Sequence, residues 1–201
     1  MQANKGFTLL ELMVVIAIMG VALAIGIPSM QDAMRDSIVK EQILRISKDV
    51  IATRNHAINY ETTASICPLA ARNDSSECGN DWNEGYMVFL DGNADGAFTQ
   101  DNDKLLFVRN ELVEFGNLFF PATSFSYTMD GTYSNQELNG LPYRFEFCPH
   151  STNANNVANH SRAVIINLGG RPRSSADIND DGKHEFWSNG MTAQAQDIDC
   201  V

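Results

Sequence analysis

The sequence predicts an α+β chain, one long N-terminal helix laid against an antiparallel β-sheet domain. Three observations carry that expectation. Residues 7–28 are almost unbroken in their apolarity. Val39, Ile43, Ile46, Val50, Thr53 and Ala57 then repeat at the 4-3-4-3-4 spacing of a single helix face. After Tyr60 the chain breaks into short β-branched and aromatic runs separated by Asp-Gly and Asn-rich turns, the punctuation of hairpins.

The first run, Phe7 to Pro28, is long enough to cross a bilayer, which takes about twenty apolar residues as a helix. Lys5 precedes it and the next basic residue is Arg35, so the N-terminus is expected in the cytoplasm and the β-rich domain on the far side. Pro28 should kink or loosen the helix, because its ring removes a backbone donor. Beyond it the pattern is amphipathic over 29–60, with Arg35, Asp36, Lys40, Asp49 and Arg54 falling largely off the apolar face. One helix from about Phe7 to about Asn59 is expected. Residues 61–201 form the head, with strands at Thr63–Cys67, Tyr86–Leu90, Leu105–Arg109, Leu112–Phe115, Ser124–Met129, Tyr143–Cys148, Arg162–Leu168 and His184–Trp187.

A formal net charge of −11 argues against broad affinity for nucleic acid or anionic lipid, so any anion-binding role must come from a local patch. None of the four cysteines (Cys67, Cys78, Cys148, Cys200) lies in a C-x-x-C pair, which disfavours zinc. In a translocated domain an even count reads as two disulfides. Three pairings are open; Cys67–Cys78 with Cys148–Cys200 is preferred, closing a short polar loop and tying down the C-terminus.

Glu11 lies inside the apolar run. A carboxylate there costs on the order of 2.5–3.5 kcal/mol on insertion scales unless it finds a partner. A secretory signal is the simpler reading of the run, and Ala24-Ile25-Gly26 is a passable cleavage site, but a disposable signal has no use for Glu11. Gly6-Phe7-Thr8-Leu9-Leu10-Glu11 resembles the processing site of type IV pilins and pseudopilins. The resemblance implies a leader at 1–6, cleavage by prepilin peptidase between Gly6 and Phe7, N-methylation of Phe7, and a single-pass inner-membrane precursor with a periplasmic head. It also implies assembly with other pilins into a pilus or pseudopilus. The new amine of Phe7 would be the cation that Glu11 needs, and that pairing would set subunit register.

The head resembles the GspH/FimT group of minor pilins and minor pseudopilins (FimT/FimU-like). The matching features are Ile66-Cys67-Pro68, Cys78, Trp82-Asn83-Glu84-Gly85-Tyr86-Met87-Val88-Phe89, and Ala163-Val164-Ile165-Ile166-Asn167 leading to Gly170-Arg171-Pro172-Arg173. The resemblance implies a type IV pilin-like fold and a protein that helps to initiate or cap a filament, in a type IV pilus or a type II secretion machine. Gly170-Arg171-Pro172-Arg173 is similar to the G-R-x-R motif of FimT-type minor pilins, which are proposed to bind DNA during natural transformation. No Asp or Glu lies between Phe147 and Ala176, while Arg162, Arg171 and Arg173 do. An exposed turn there would offer two guanidinium groups to phosphate. A solvated loop, or pairing with acids on a neighbouring subunit, would use the same arginines.

Two acidic turns, Asp91-Gly92-Asn93-Ala94-Asp95-Gly96 and Asp177-Ile178-Asn179-Asp180-Asp181-Gly182, match the first half of an EF-hand-type loop, with ligands at Asp91, Asn93, Asp95 and at Asp177, Asn179, Asp181. Asn102 and Ser188 stand where the terminal bidentate acid belongs. Hairpin turns rich in Asp, Asn and Gly look alike for conformational reasons alone. Any ion would be structural calcium, and no other cofactor is expected. His56, His150, His160 and His184 are scattered, Trp82 and Trp187 read as core or subunit contacts, and no Ser-His-Asp grouping or phosphate loop stands out, so no enzyme is indicated.

Overall fold

A computed structural model describes residues 8–110, 116–133, 143–150, 154–167, 169–187, 195–198 and 200. Helix α1 runs Leu9–Tyr60, and its assignment continues through Pro28. The chain divides into two compact units, Met1–Ser37 and Ile38–Val201, so the boundary falls within α1 rather than at its end.

In the second unit the predicted stripe is the buried stripe: Val39, Ile43, Ile46, Val50, Thr53 and Ala57 all lie in the interior. One residue departs from the expectation. Asp49 is only 5 % exposed. Helical periodicity accounts for it, since position 49 lies three residues from Ile46, four from Thr53 and beside Val50.

The strands are β1 (Thr63–Ala71), β2 (Asp74–Cys78), β3 (Tyr86–Asp91), β4 (Lys104–Arg109), β5 (Gly116–Phe119), β6 (Phe125–Tyr127), β7 (Tyr143–Pro149), β8 (Arg162–Ile166), β9 (Pro172–Ser174), β10 (Glu185–Trp187) and β11 (Ala195–Asp197), with helix α2 (Ala154–His160) before β8. The first sheet has the order β2-β1-β3-β4, with β6 also paired to β1; the second is β5-β7-β8-β9; β10 and β11 form a separate hairpin. Every pairing is antiparallel.

Alternation along the strands sorts the core. Ala64, Ile66 and Val88 of the first sheet and Leu118, Phe145, Phe147, Val164 and Ile166 of the second share one cluster with the α1 stripe. The other face of β1 and β3 turns Cys67, Leu69, Met87 and Phe89 toward Phe98. The other face of the second sheet offers Ala163 and Ile165 to Phe186 and Ile198 of the C-terminal hairpin. Cys67 is bonded to Cys78 and Cys148 to Cys200, with Cα separations of 5.6 and 5.8 Å. The first bond lies beside the β1 satellite cluster, and the second fixes the C-terminal hairpin to β7.

Several elements differ from the sequence reading. β2, β11 and α2 are too polar to announce themselves by periodicity. β9 takes Pro172–Ser174, so part of the expected Arg-Pro-Arg turn is an edge strand, a place where proline's missing N–H is tolerated. The expected strand at Leu112–Phe115, with Leu168 and Ser188, lies outside the described residues.

Candidate functional site

The first candidate surface is the start of α1. Thr8 and Glu11 stand at the spacing of a capping box, and the Glu11 amide donates to Thr8 Oγ1 at 3.2 Å. That places the Glu11 carboxylate in the first turn, where the helix dipole favours negative charge. Behind it every described side chain from Leu9 to Ile27 is exposed, Leu9 by 76 %. This is a helix long and apolar enough to cross a membrane. Gly6 and Phe7 lie outside the described residues.

The second is the Gly-Arg-Pro-Arg segment. Gly170 has a φ of +73°, and a Cβ there would meet the Gly131 carbonyl oxygen at 2.3 Å. Its own carbonyl accepts from Tyr127 Oη at 2.8 Å. The Arg171 amide donates to Asn167 Oδ1 at 2.9 Å, closing the β8–β9 turn. Arg173 stands opposite Ile165 in the edge strand, Arg171 immediately precedes that strand, and both are exposed. Neither makes an ion pair among the described residues. Arg162 does not join them. It sits at the other end of β8 on the opposite face, and its guanidinium donates to the carbonyls of Asn159 and Ser161 at 2.8 and 2.9 Å.

The acidic turns differ in what surrounds them. In the first, Asp91 accepts from Ser65 Oγ at 2.7 Å and from the amides of Asp95 and Gly96, while Asp95 accepts from Asn93 Nδ2 and the Ala97 amide. In the second, carboxylate oxygens of Asp177, Asp181 and Glu185 lie within 4.8 Å of one another. Glu185 adds an acid that a twelve-residue loop pattern does not point to; its signal is the ninth position of the loop that begins at Asp177.

Two further buried acids, Asp49 and Glu146, carry no local signal in the sequence. Asp49 accepts from Arg109 Nε at 2.7 Å, from Arg109 Nη2 at 2.9 Å and from Tyr86 Oη at 2.7 Å. Burial, with the Asp49 carboxylate second, pushes the Tyr86 phenol well above its ordinary range. On the outer face of β7, Arg144 pairs with Glu146 and lies 4.0 Å from the Phe186 ring centroid. Trp82 is a core residue, its indole N–H donating to the Ala122 carbonyl at 3.0 Å.

Residues 1–27 match the prokaryotic N-terminal methylation motif. Residues 43–170 match the family of the type II transport protein GspH, and that span is most of the chain. The chain belongs to the GspH family. GspH-family chains are pilin-like structural proteins rather than enzymes. The sequence is also 50 % identical over 52 residues to a type IV major alpha-pilin of Moraxella bovis, covering 26 % of this chain and 30 % of the relative. It is 41 % identical over 74 residues to the type IV major pilin protein PilE1 of Neisseria gonorrhoeae, covering 37 % and 35 %. The chain thus spans about a third of the length of these curated relatives. A solved structure of the type IV minor pilin FimU of Pseudomonas aeruginosa is similar at 16 % identity and a TM-score of 0.49, covering 74 % of this GspH-family chain and 93 % of that one.

Proposed function

We propose that this chain is a minor type IV pilin that enters a filament through α1 and helps to initiate or cap it. The observation that carries this reading is the exposed apolar stretch Leu9–Ile27 with one carboxylate, Glu11, in its first turn. Such a helix needs an apolar surround, first lipid and then the helices of neighbouring subunits. Prepilin peptidase cuts between Gly6 and Phe7 on the cytoplasmic face, and the head stays periplasmic, where its two disulfides persist. The amine of Phe7, on the same or a neighbouring subunit, then neutralises Glu11 in the filament core. The test is incorporation of Glu11→Ala into sheared filaments. It should insert in the membrane and be processed yet be depleted from filaments by at least tenfold; wild-type incorporation would contradict the pairing.

A second reading rests on Arg171 and Arg173, two exposed arginines in the edge strand β9 and the turn that leads into it. That arrangement suits the phosphates of DNA, and many subunits along a pilus would add avidity. DNA affinity should fall with rising salt, and should fall in Arg171→Ala/Arg173→Ala. Equal affinity of the two forms would remove this reading and leave the structural one intact. Work in a type II secretion machine would use the same N-terminal chemistry, and genetic linkage to a secretion or a pilus operon distinguishes the two.

A further inference from the structure

We propose that the loop Asp177–Glu185 is a calcium site that clamps the C-terminal hairpin to the second sheet. The decisive group is Glu185. It is 1 % exposed, and its Oε1 is buried with no hydrogen-bond partner, as is Oδ1 of Asp177. Each carboxylate is held by its other oxygen: the Gly182 amide donates to Asp177 Oδ2 at 2.9 Å, and the Ile178 amide donates to Glu185 Oε2 at 2.7 Å. The loop therefore fixes two acids and leaves one oxygen of each unsatisfied, in a cluster where one carboxylate oxygen from each of them and one from Asp181 lie within 4.8 Å of one another. An unpartnered buried carboxylate oxygen is costly, and three carboxylates within 4.8 Å repel one another unless a proton or a cation lies between them. None of the three makes an ion pair among the described residues.

The ligand chemistry selects the cation. Asp177, Asn179, Asp181, the Lys183 carbonyl and Glu185 occupy positions one, three, five, seven and nine of a calcium loop, with Gly182 at the sixth, where φ is +88°. All are hard oxygen donors, which suits calcium rather than zinc. Their spread also favours the larger, more adaptable ion over magnesium, which demands tight octahedral geometry. Glu185 begins β10, and the Ala176–Glu185 bridge ties the strand to the end of β9. A cation here would act with the Cys148–Cys200 bond and the Arg144–Phe186 contact to hold one hairpin in place.

The experiment is calcium titration of the full chain in detergent, stripped with chelator, read by calorimetry and by the thermal unfolding midpoint. Wild type should bind one calcium per chain, with a dissociation constant of about 10⁻⁴ to 10⁻³ M, the range of extracellular modules, and its midpoint should rise with calcium. Asp181→Asn, at an exposed position that does not threaten folding, should bind at least tenfold more weakly, and Glu185→Gln should do the same. Asp95→Asn in the first acidic turn should bind as wild type does. Absence of calcium binding by wild type would overturn the site, as would affinity unchanged in Asp181→Asn. So would a metal-free midpoint raised by Glu185→Gln with no calcium response in wild type, the signature of a shared proton.

Discussion

Asp49 shows how much a single side chain can hide from periodicity. On the sequence it is one more charge on an amphipathic helix; in the fold it is buried and takes three hydrogen bonds from Arg109 and Tyr86. Its partners lie 37 and 60 residues away, beyond any local pattern. Removing Arg109, itself 41 % exposed, leaves a buried carboxylate short of its cation. Arg109→Ala should therefore destabilise the chain by about 3 kcal/mol, the low end for a broken buried pair, measured by denaturant unfolding. Tyr86 gives a pH signature. Its folded-state pKa is raised, so the stability it contributes is full below the ordinary phenol value near 10 and is lost as pH rises beyond it. Wild type should lose stability above about pH 10 more steeply than Tyr86→Phe, in unfolding curves taken at stepped pH.

Among the elements, α1 was legible almost residue by residue, because 3.6-residue periodicity and the burial it predicts are local properties. Ile46→Ala, deep in the shared cluster, should cost about 3 kcal/mol in transfer and cavity terms, measured by denaturant unfolding. The central strands β1, β3 and β8 are legible for a related reason, since both of their faces are covered and their runs are largely apolar, whereas β7 is legible by alternation, Tyr143, Phe145 and Phe147 facing the core and Arg144 and Glu146 the other side. Of the edge strands, β4 is legible at Leu105–Arg109, but β2 and β9 are not. β2 is polar and is placed by pairing with β1 beside the Cys67–Cys78 bond, and β9 was read as a turn because Gly170 and Pro172 mark one. The turn after β6 carries a titratable latch. Asp130 accepts from Thr128 Oγ1 and from the Thr132 amide and hydroxyl, which lowers its pKa to about 2. That contribution is present above about pH 4 and is lost as pH falls toward 2. The Gly131 amide resonance should titrate by NMR with a midpoint near pH 2, and an unmoved resonance, or a midpoint near the ordinary Asp value of about 3.9, would deny the latch.

At the scale of the whole molecule, the candidate sites divide by how far apart in sequence their parts lie. The expected processing motif, Glu11 and the apolar run are contiguous, so a local pattern is enough to suggest them. Arg171 and Arg173 were read as a pair, yet Arg162 was grouped with them only because it is nearby in sequence; strand alternation sends it to the other face. Glu185 is hidden from a twelve-residue loop pattern because it stands at the ninth position. The proposed anchoring, processing and assembly all depend on the fate of the N-terminus. Mass spectrometry of the chain recovered from filaments tests it most directly. The mature protein should begin at an N-methylated Phe7. A mature chain that begins after Gly26, or one that still carries Met1 through Gly6, would contradict it.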